Sequence, residues 1–181
     1  MIQTVEVASS LFVLVIVFAS NETSKVNLTK EIAQRHIHPN RLIFADRYER
    51  PEYLARYRVA DLFLDTHPYN AGTTASDALK MGLPILTMIG QSYQARMGAS
   101  ILTSINLPEL ITNTPKEYES LAIELATNPE KLKAIKDKLA DNLPTAPLFD
   151  TKRFTKNIES AYTQMYERSQ QGLEPDHIYV E

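Results

Sequence analysis

The run Gly72-Thr73-Thr74-Ala75-Ser76-Asp77 puts two hydroxyl side chains where a strand gives way to a helix. The first N–H groups of a helix lack internal partners, and together they carry roughly half a positive charge. Thr73 and Thr74 could therefore hold a diphosphate, while Asp77, one turn further on, could accept hydrogen bonds from ribose hydroxyls. The same residues also fit a plain helix start, with Thr73 or Thr74 as the cap and Asp77 complementing the dipole.

A second chemical cluster spans residues 46–56, Asp46-Arg47-Tyr48-Glu49-Arg50-Pro51-Glu52-Tyr53-Leu54-Ala55-Arg56. Tyr53 offers a face on which a base can stack, and Arg50 and Arg56 can donate to base or sugar oxygens. Arg and Tyr mixed in this way also make an ordinary solvated helix surface. His67 follows Asp65-Thr66 and could reach the same cleft, whereas His36 and His38 lie near a helix end and His177 lies in the tail. The sequence carries no His/Asp/Glu cluster at metal-ligand spacing, no Gly-x-Ser-x-Gly elbow and no Walker lysine loop, so no metal site is expected.

The elements that must position these residues alternate between short apolar strands and helices of about ten residues. Strands are expected at 11–18, 41–44, 61–65, 84–88 and 110–111. Helices are expected at 26–36, 51–58, 73–81, 93–104, 115–126, 129–140 and 151–170. This pattern implies an α/β fold, a Rossmann-like parallel sheet with helices on both faces, in which ligands bind beyond the carboxyl ends of the strands. No internal repeat or glycine-rich linker divides the chain, so residues 1–181 read as one domain. The last helix, about 151–170, carries Phe154, Ile158, Ala161, Tyr162 and Met165 at helical spacing, and that face must pack on this domain or on a neighbour.

Composition removes several classes of function. The 19 basic and 22 acidic residues are mixed along the chain and leave a net charge of −3, which offers no basic face for nucleic acid. With no cysteine there is no disulfide framework, thiolate metal site or cysteine nucleophile, and a reducing, cytoplasmic setting is compatible. The apolar run at 11–18 is about half the ~20 residues that a membrane helix requires. It has Glu6 and no Lys or Arg before it, so it reads as a buried strand rather than a signal peptide. The sequons at Asn21 and Asn27 are taken as chance.

Read together, Arg41-Leu42-Ile43-Phe44, Ala60-Asp61-Leu62-Phe63-Leu64-Asp65-Thr66, Gly72-Thr73-Thr74-Ala75-Ser76-Asp77-Ala78-Leu79 and Gly82-Leu83-Pro84-Ile85-Leu86-Thr87 resemble the C-terminal catalytic lobe of the O-GlcNAc transferases. Ala95-Arg96-Met97-Gly98-Ala99-Ser100, Leu107-Pro108-Glu109-Leu110-Ile111, Pro147-Leu148-Phe149-Asp150-Thr151 and Pro175-Asp176-His177 continue the likeness to the end of the chain. The resemblance implies the nucleotide-sugar-binding lobe of a GT-B enzyme that grips UDP-GlcNAc without a metal or other cofactor. It further implies transfer of GlcNAc to Ser or Thr hydroxyls of a protein acceptor, in a chain that usually begins with a tetratricopeptide region.

By motif position, the resemblance assigns Thr73 and Thr74 to the diphosphate and Asp77 to the ribose. Tyr48 would meet the uracil through its backbone, Arg56 would donate to the uracil, and Arg50 stands where the family often has a lysine near the ribose. Two positions depart from the pattern: Tyr53 replaces a uracil-stacking histidine, and Gly72 replaces a histidine before the two threonines. The family's phosphate-gripping glutamine and lysine are expected just before the first residue of this sequence, and its acceptor-side histidines in an N-terminal lobe that is absent here. The expected function is therefore a donor-binding portion that is weak or inactive alone. The alternatives are a UDP-hexose transferase of the same fold and a non-catalytic remnant that binds another protein or itself.

Overall fold

The computed structural model describes residues 14–16 and 21–180. Its strands are β1 (Leu14–Ile16), β2 (Leu42–Phe44), β3 (Phe63–Leu64), β4 (Ile85–Met88) and β5 (Ile111–Thr112). Its helices are α1 (Glu22–Gln34), α2 (Arg50–Arg56), α3 (Thr73–Lys80), α4 (Tyr93–Ser104), α5 (Pro115–Thr127), α6 (Pro129–Asn142) and α7 (Thr151–Gln170). The expected strand at 11–18 is observed over its central three residues; 11–13 and 17–18 lie outside the described residues, as do Glu6, Ala19 and Ser20.

Among the described residues the strand pairs are all parallel, the pairing that helical crossovers serve. β1 pairs with β2, placing Leu14 opposite Leu42 and Ile16 opposite Phe44. The remaining strands run in the order β3-β4-β5, with Phe63 opposite Ile85 and Thr87 opposite Ile111. Among the described residues no ladder joins β2 to β3, so the sheet expected as one layer is seen in two parts.

Strand β4 is the centre of the domain. Successive side chains on a strand face opposite ways, yet Ile85, Leu86 and Thr87 are all fully buried, so both faces of the strand are covered. Ile85 belongs to a core that includes Leu79 from α3, Leu102 from α4, Leu125 from α5 and Leu139 from α6. Burying each such side chain is worth about 1.5–3 kcal/mol relative to exposure.

The helix ends follow local chemistry. Asn21, Ser92, Thr114, Asn128 and Asp150 each cap the following helix by accepting a backbone N–H. Asn21, read from sequence only as part of a chance sequon, thus starts α1 four residues earlier than the apolar pattern suggests. At the other end of α3, Gly82 adopts φ +83°. This left-handed residue lets Gly82 N–H bond Leu79 C=O at 2.9 Å and Leu83 N–H bond Ala78 C=O at 2.9 Å, stopping the helix before β4.

Candidate functional site

Helix α3 begins without the usual side-chain cap. Gly72 occupies the capping position and has no side chain to give. Neither Thr73 nor Thr74 takes over that role: both lie inside the helix with exposed side chains, which removes the plain-cap alternative. A Cβ on Gly72 would lie 3.7 Å from Met97 Cγ, an ordinary contact, so the glycine is not forced by crowding. What it leaves is open space beside a helix N-terminus. A cleft of ≈ 320 Å³ occupies this space, lined by Asp65, Thr66, Tyr69, Asn70, Gly72 and Thr74 among others.

The loop between β3 and α3 is braced by Asp65, which sequence reasoning used only to mark the end of a strand. Its Oδ1 accepts the N–H of Thr66 at 2.8 Å and of Ala71 at 2.7 Å, and its Oδ2 accepts the Thr87 hydroxyl at 2.7 Å. The Tyr118 hydroxyl of α5 donates to the Asp65 backbone oxygen at 2.9 Å. Burial pushes the Asp65 carboxyl above its ordinary value, while the Ala71, Thr87 and Thr66 donors and the charge of His67 act against that shift. Burial likewise raises the Tyr118 phenol, with the Asp65 carboxylate adding to the effect.

Asn70 completes the brace, its side-chain amide donating to Thr66 C=O at 2.8 Å. Gly98 of α4 packs directly behind the carboxylate, where a Cβ would lie 2.5 Å from Thr87 Oγ1 and 2.7 Å from Asp65 Oδ2. His67 is exposed and precedes Pro68 through a cis peptide; its ring lies against Gly90, at the edge of this loop.

The second cluster assembles around α2. Asp77 is buried on α3, and Arg50 from the first turn of α2 donates to its Oδ1 at 3.1 Å. The Arg50 side chain is 67% exposed, so solvent screens the pair and its net worth is about 1 kcal/mol or less. Arg56 donates to Asp46 C=O at 2.9 Å, and its guanidinium lies 5.1 Å from the centroid of Tyr48 and 5.8 Å from that of Tyr53. Tyr48 is exposed and Tyr53 half-buried.

Thus Arg56, Tyr48 and Tyr53 form one group, Thr73, Thr74 and Gly72 another, and the Arg50–Asp77 pair links them. The local signals Gly-Thr-Thr and Arg-Pro-x-Tyr were visible in sequence. The Asp65–Tyr118 contact joins residues 53 apart, and no local pattern announces it. A signal for Asp65 itself did exist: a carboxylate closing a buried strand needs donors, and the loop that follows supplies the N–H groups of Thr66 and Ala71.

A parallel α/β layer with an uncapped helix N-terminus, exposed threonine hydroxyls and an Arg–Tyr cluster places the domain in the Rossmann-like class. The chain belongs to glycosyl transferase family 41, whose model matches residues 3–158. It is 35% identical over 149 residues to a probable UDP-N-acetylglucosamine–peptide N-acetylglucosaminyltransferase, SEC, of Arabidopsis thaliana, covering 82% of this chain and 15% of that protein. To the UDP-N-acetylglucosamine–peptide N-acetylglucosaminyltransferase of Caenorhabditis elegans it is 32% identical over 152 residues, covering 84% of this chain and 13% of the relative.

A solved structure of a Thermobaculum terrenum O-GlcNAc transferase mutant superposes with a TM-score of 0.79 at 30% identity, covering 84% of this chain and 29% of that one. The α/β fold is accordingly that of a GT-B catalytic lobe. The chain spans only 15% and 13% of the two relatives' lengths. Among the described residues, no helix is long and apolar enough to cross a membrane.

Proposed function

We propose that residues 1–181 form the C-terminal, nucleotide-sugar-binding lobe of a metal-independent glycosyltransferase that moves GlcNAc from UDP-GlcNAc to Ser or Thr hydroxyls of a protein. The observation that carries this reading is the bare N-terminus of α3, where Gly72 leaves the first N–H groups uncapped and Thr73 and Thr74 exposed beside an open cleft. In the transfer, the bond between the sugar's anomeric carbon and the diphosphate oxygen breaks as the acceptor hydroxyl oxygen bonds that carbon. Negative charge grows on the departing UDP, and fixed donors aimed at it stabilise the transition state more than the ground state.

In this reading Thr73, Thr74 and the first N–H groups of α3 hold the diphosphate. Asp77 accepts from the ribose hydroxyls, exchanging its screened contact with Arg50 for them, and Arg50 remains beside the ribose. Tyr53 stacks the uracil, with Arg56 and the backbone of Tyr48 at its edge. Gly72, lacking the side chain its relatives are expected to place there, leaves the diphosphate and sugar more room. The acceptor's proton leaves to a base across the cleft, in an N-terminal lobe that a tetratricopeptide region would precede. This lobe alone therefore binds the donor and turns over weakly or not at all. We place the reaction in the cytoplasm, which the cysteine-free composition fits.

Calorimetric titration with UDP tests the reading. Binding by the 181-residue chain that is lost in a Thr73→Ala/Thr74→Ala double variant is the expected result; a well-folded parent that takes up no UDP would overturn it. Competition among UDP-sugars then separates UDP-GlcNAc from a UDP-hexose donor.

A second reading, a binding module that meets another protein or a second copy of itself, is favoured by one observation. Phe154, Tyr162, Met165 and Tyr166 of α7 are all largely exposed, and no residue of that helix is buried. Concentration-dependent sizing distinguishes an associating chain from a monomer.

A further inference from the structure

Of the three tyrosines around α2, only Tyr57 is buried, at 5% exposure. It stands one turn after Tyr53, where α2 tightens into the 3-10 turn Tyr57–Val59. The two rings meet edge to face, with centroids 5.2 Å apart and planes inclined at 75°, and their hydroxyls share a hydrogen bond. On another side of Tyr53 lies the Arg56 guanidinium, itself tied to Asp46 C=O.

A half-buried tyrosine on a seven-residue helix would otherwise sample several orientations, and ordering it on binding would cost affinity. Here the Tyr57 hydroxyl holds the far end of the Tyr53 ring, and the edge-to-face contact restrains its plane. The Tyr57 ring packs within the core cluster, and its hydroxyl meets the site at Tyr53.

We propose that Tyr57 is a positioning residue for the nucleobase: its buried hydroxyl anchors the hydroxyl of Tyr53 and so presets the ring on which uracil stacks. The proposal rests on the reading of Tyr53 as the base platform. Burial, and then the bond to Tyr53, push the Tyr57 phenol well above its ordinary value, so the anchor stays protonated through neutral pH. The anchor suits a tyrosine at position 53, whose hydroxyl gives the buried residue something to hold.

Tyr57→Phe removes the hydroxyl and keeps the packed ring, which makes it the decisive variant. Two readouts are taken on the 181-residue chain: NMR of ring-labelled tyrosine, and calorimetry with UDP and with inorganic pyrophosphate as the base-free probe. In the parent, the Tyr53 hydroxyl proton should exchange slowly with solvent; in Tyr57→Phe it should exchange as fast as that of an exposed tyrosine. UDP affinity should fall about 3–10-fold, the usual worth of one hydrogen bond, while pyrophosphate affinity stays the same.

Tyr53→Phe should lose as much as Tyr57→Phe, and the double variant no more than either. Unchanged UDP binding in Tyr57→Phe, equal weakening toward pyrophosphate, or an unaltered Tyr53 signal would each overturn the positioning role. A different failure marks the underlying reading: if Tyr53→Ala leaves UDP affinity intact while Thr73→Ala/Thr74→Ala abolishes it, the base platform is wrong and the anchor falls with it. A parent that binds no UDP overturns both.

Discussion

Asp65 ties together more of the site than any residue that touches the open cleft with a free hydroxyl. One carboxylate satisfies two backbone N–H groups and a buried hydroxyl, and its own backbone oxygen receives Tyr118. Asp65→Asn keeps the oxygen that accepts both N–H groups, and its amide can donate to Thr87 in place of the lost acceptor. Asp65→Ala strands all three donors and should cost about 3 kcal/mol, read as a fall in the denaturation midpoint.

The pH dependence of Asp65 has a definite sign. Because burial raises its folded-state value, the native protein retains this proton at a pH where the unfolded chain has already released it. That contribution to stability is complete below the ordinary aspartate value of about 3.9 and is lost as pH rises through the folded-state value. Thermal melts of the parent and Asp65→Asn from about pH 4 to 7 should therefore diverge, the parent losing stability with rising pH relative to the variant. Parallel profiles would show that the donors from Ala71, Thr87 and Thr66 cancel the burial effect.

Two helix starts, at α3 and α5, show how the same residue type serves different ends at the scale of an element. In α5, Thr114 Oγ1 accepts Glu117 N–H at 3.2 Å while the Glu117 carboxylate accepts Asn113 N–H at 2.8 Å. The Asn113 N–H holds that exposed carboxyl below its ordinary value. Thr114→Ala should cost about 1 kcal/mol of stability, the usual worth of a cap. Thr73 and Thr74 cap nothing, so replacing both with alanine should change stability by less than about 0.5 kcal/mol while UDP binding is lost. Chemical denaturation of the two variants measures the contrast.

The alternation of strands and helices was legible in sequence because buried β4 and the faces of α3 to α6 write themselves as apolar runs and periodicities. Boundaries were less so. The strand expected over 61–65 shrinks to Phe63–Leu64, since the ladder to β4 covers two residues and Asp65 turns its carboxylate to the loop. The helix expected over 51–58 ends at Arg56 and tightens, carrying Tyr57 inward. The helix start at Gly72-Thr73-Thr74 was legible because its signal is local. The Arg50–Asp77 pair was not, because it joins residues 27 apart through the packing of α2 near α3.

For the whole molecule, the distribution of burial is uneven. The core lies around β4, whereas α7 buries no residue even though it bears the apolar stripe read from sequence at Phe154, Ile158, Ala161, Tyr162 and Met165. Phe154→Ser/Tyr162→Ser/Met165→Ser should leave the melting temperature nearly unchanged, since surface replacements usually stay within about 0.5 kcal/mol each. It should also abolish any concentration-dependent association seen in the parent by sizing. A marked loss of stability would instead show that this stripe packs on the rest of the chain.

The Asp65 clamp has a consequence for what this corner of the molecule can vary. It holds the loop at Thr66 and again at Ala71, six positions along the chain from the carboxylate, immediately before α3 begins. A fastening of this kind counts residues rather than naming them. The exposed side chains His67, Pro68 and Tyr69 can be exchanged more freely than buried Asn70, but one inserted or deleted residue would displace the first turn of α3 from the cleft. Length, more than identity, is the invariant that joins strand to helix here.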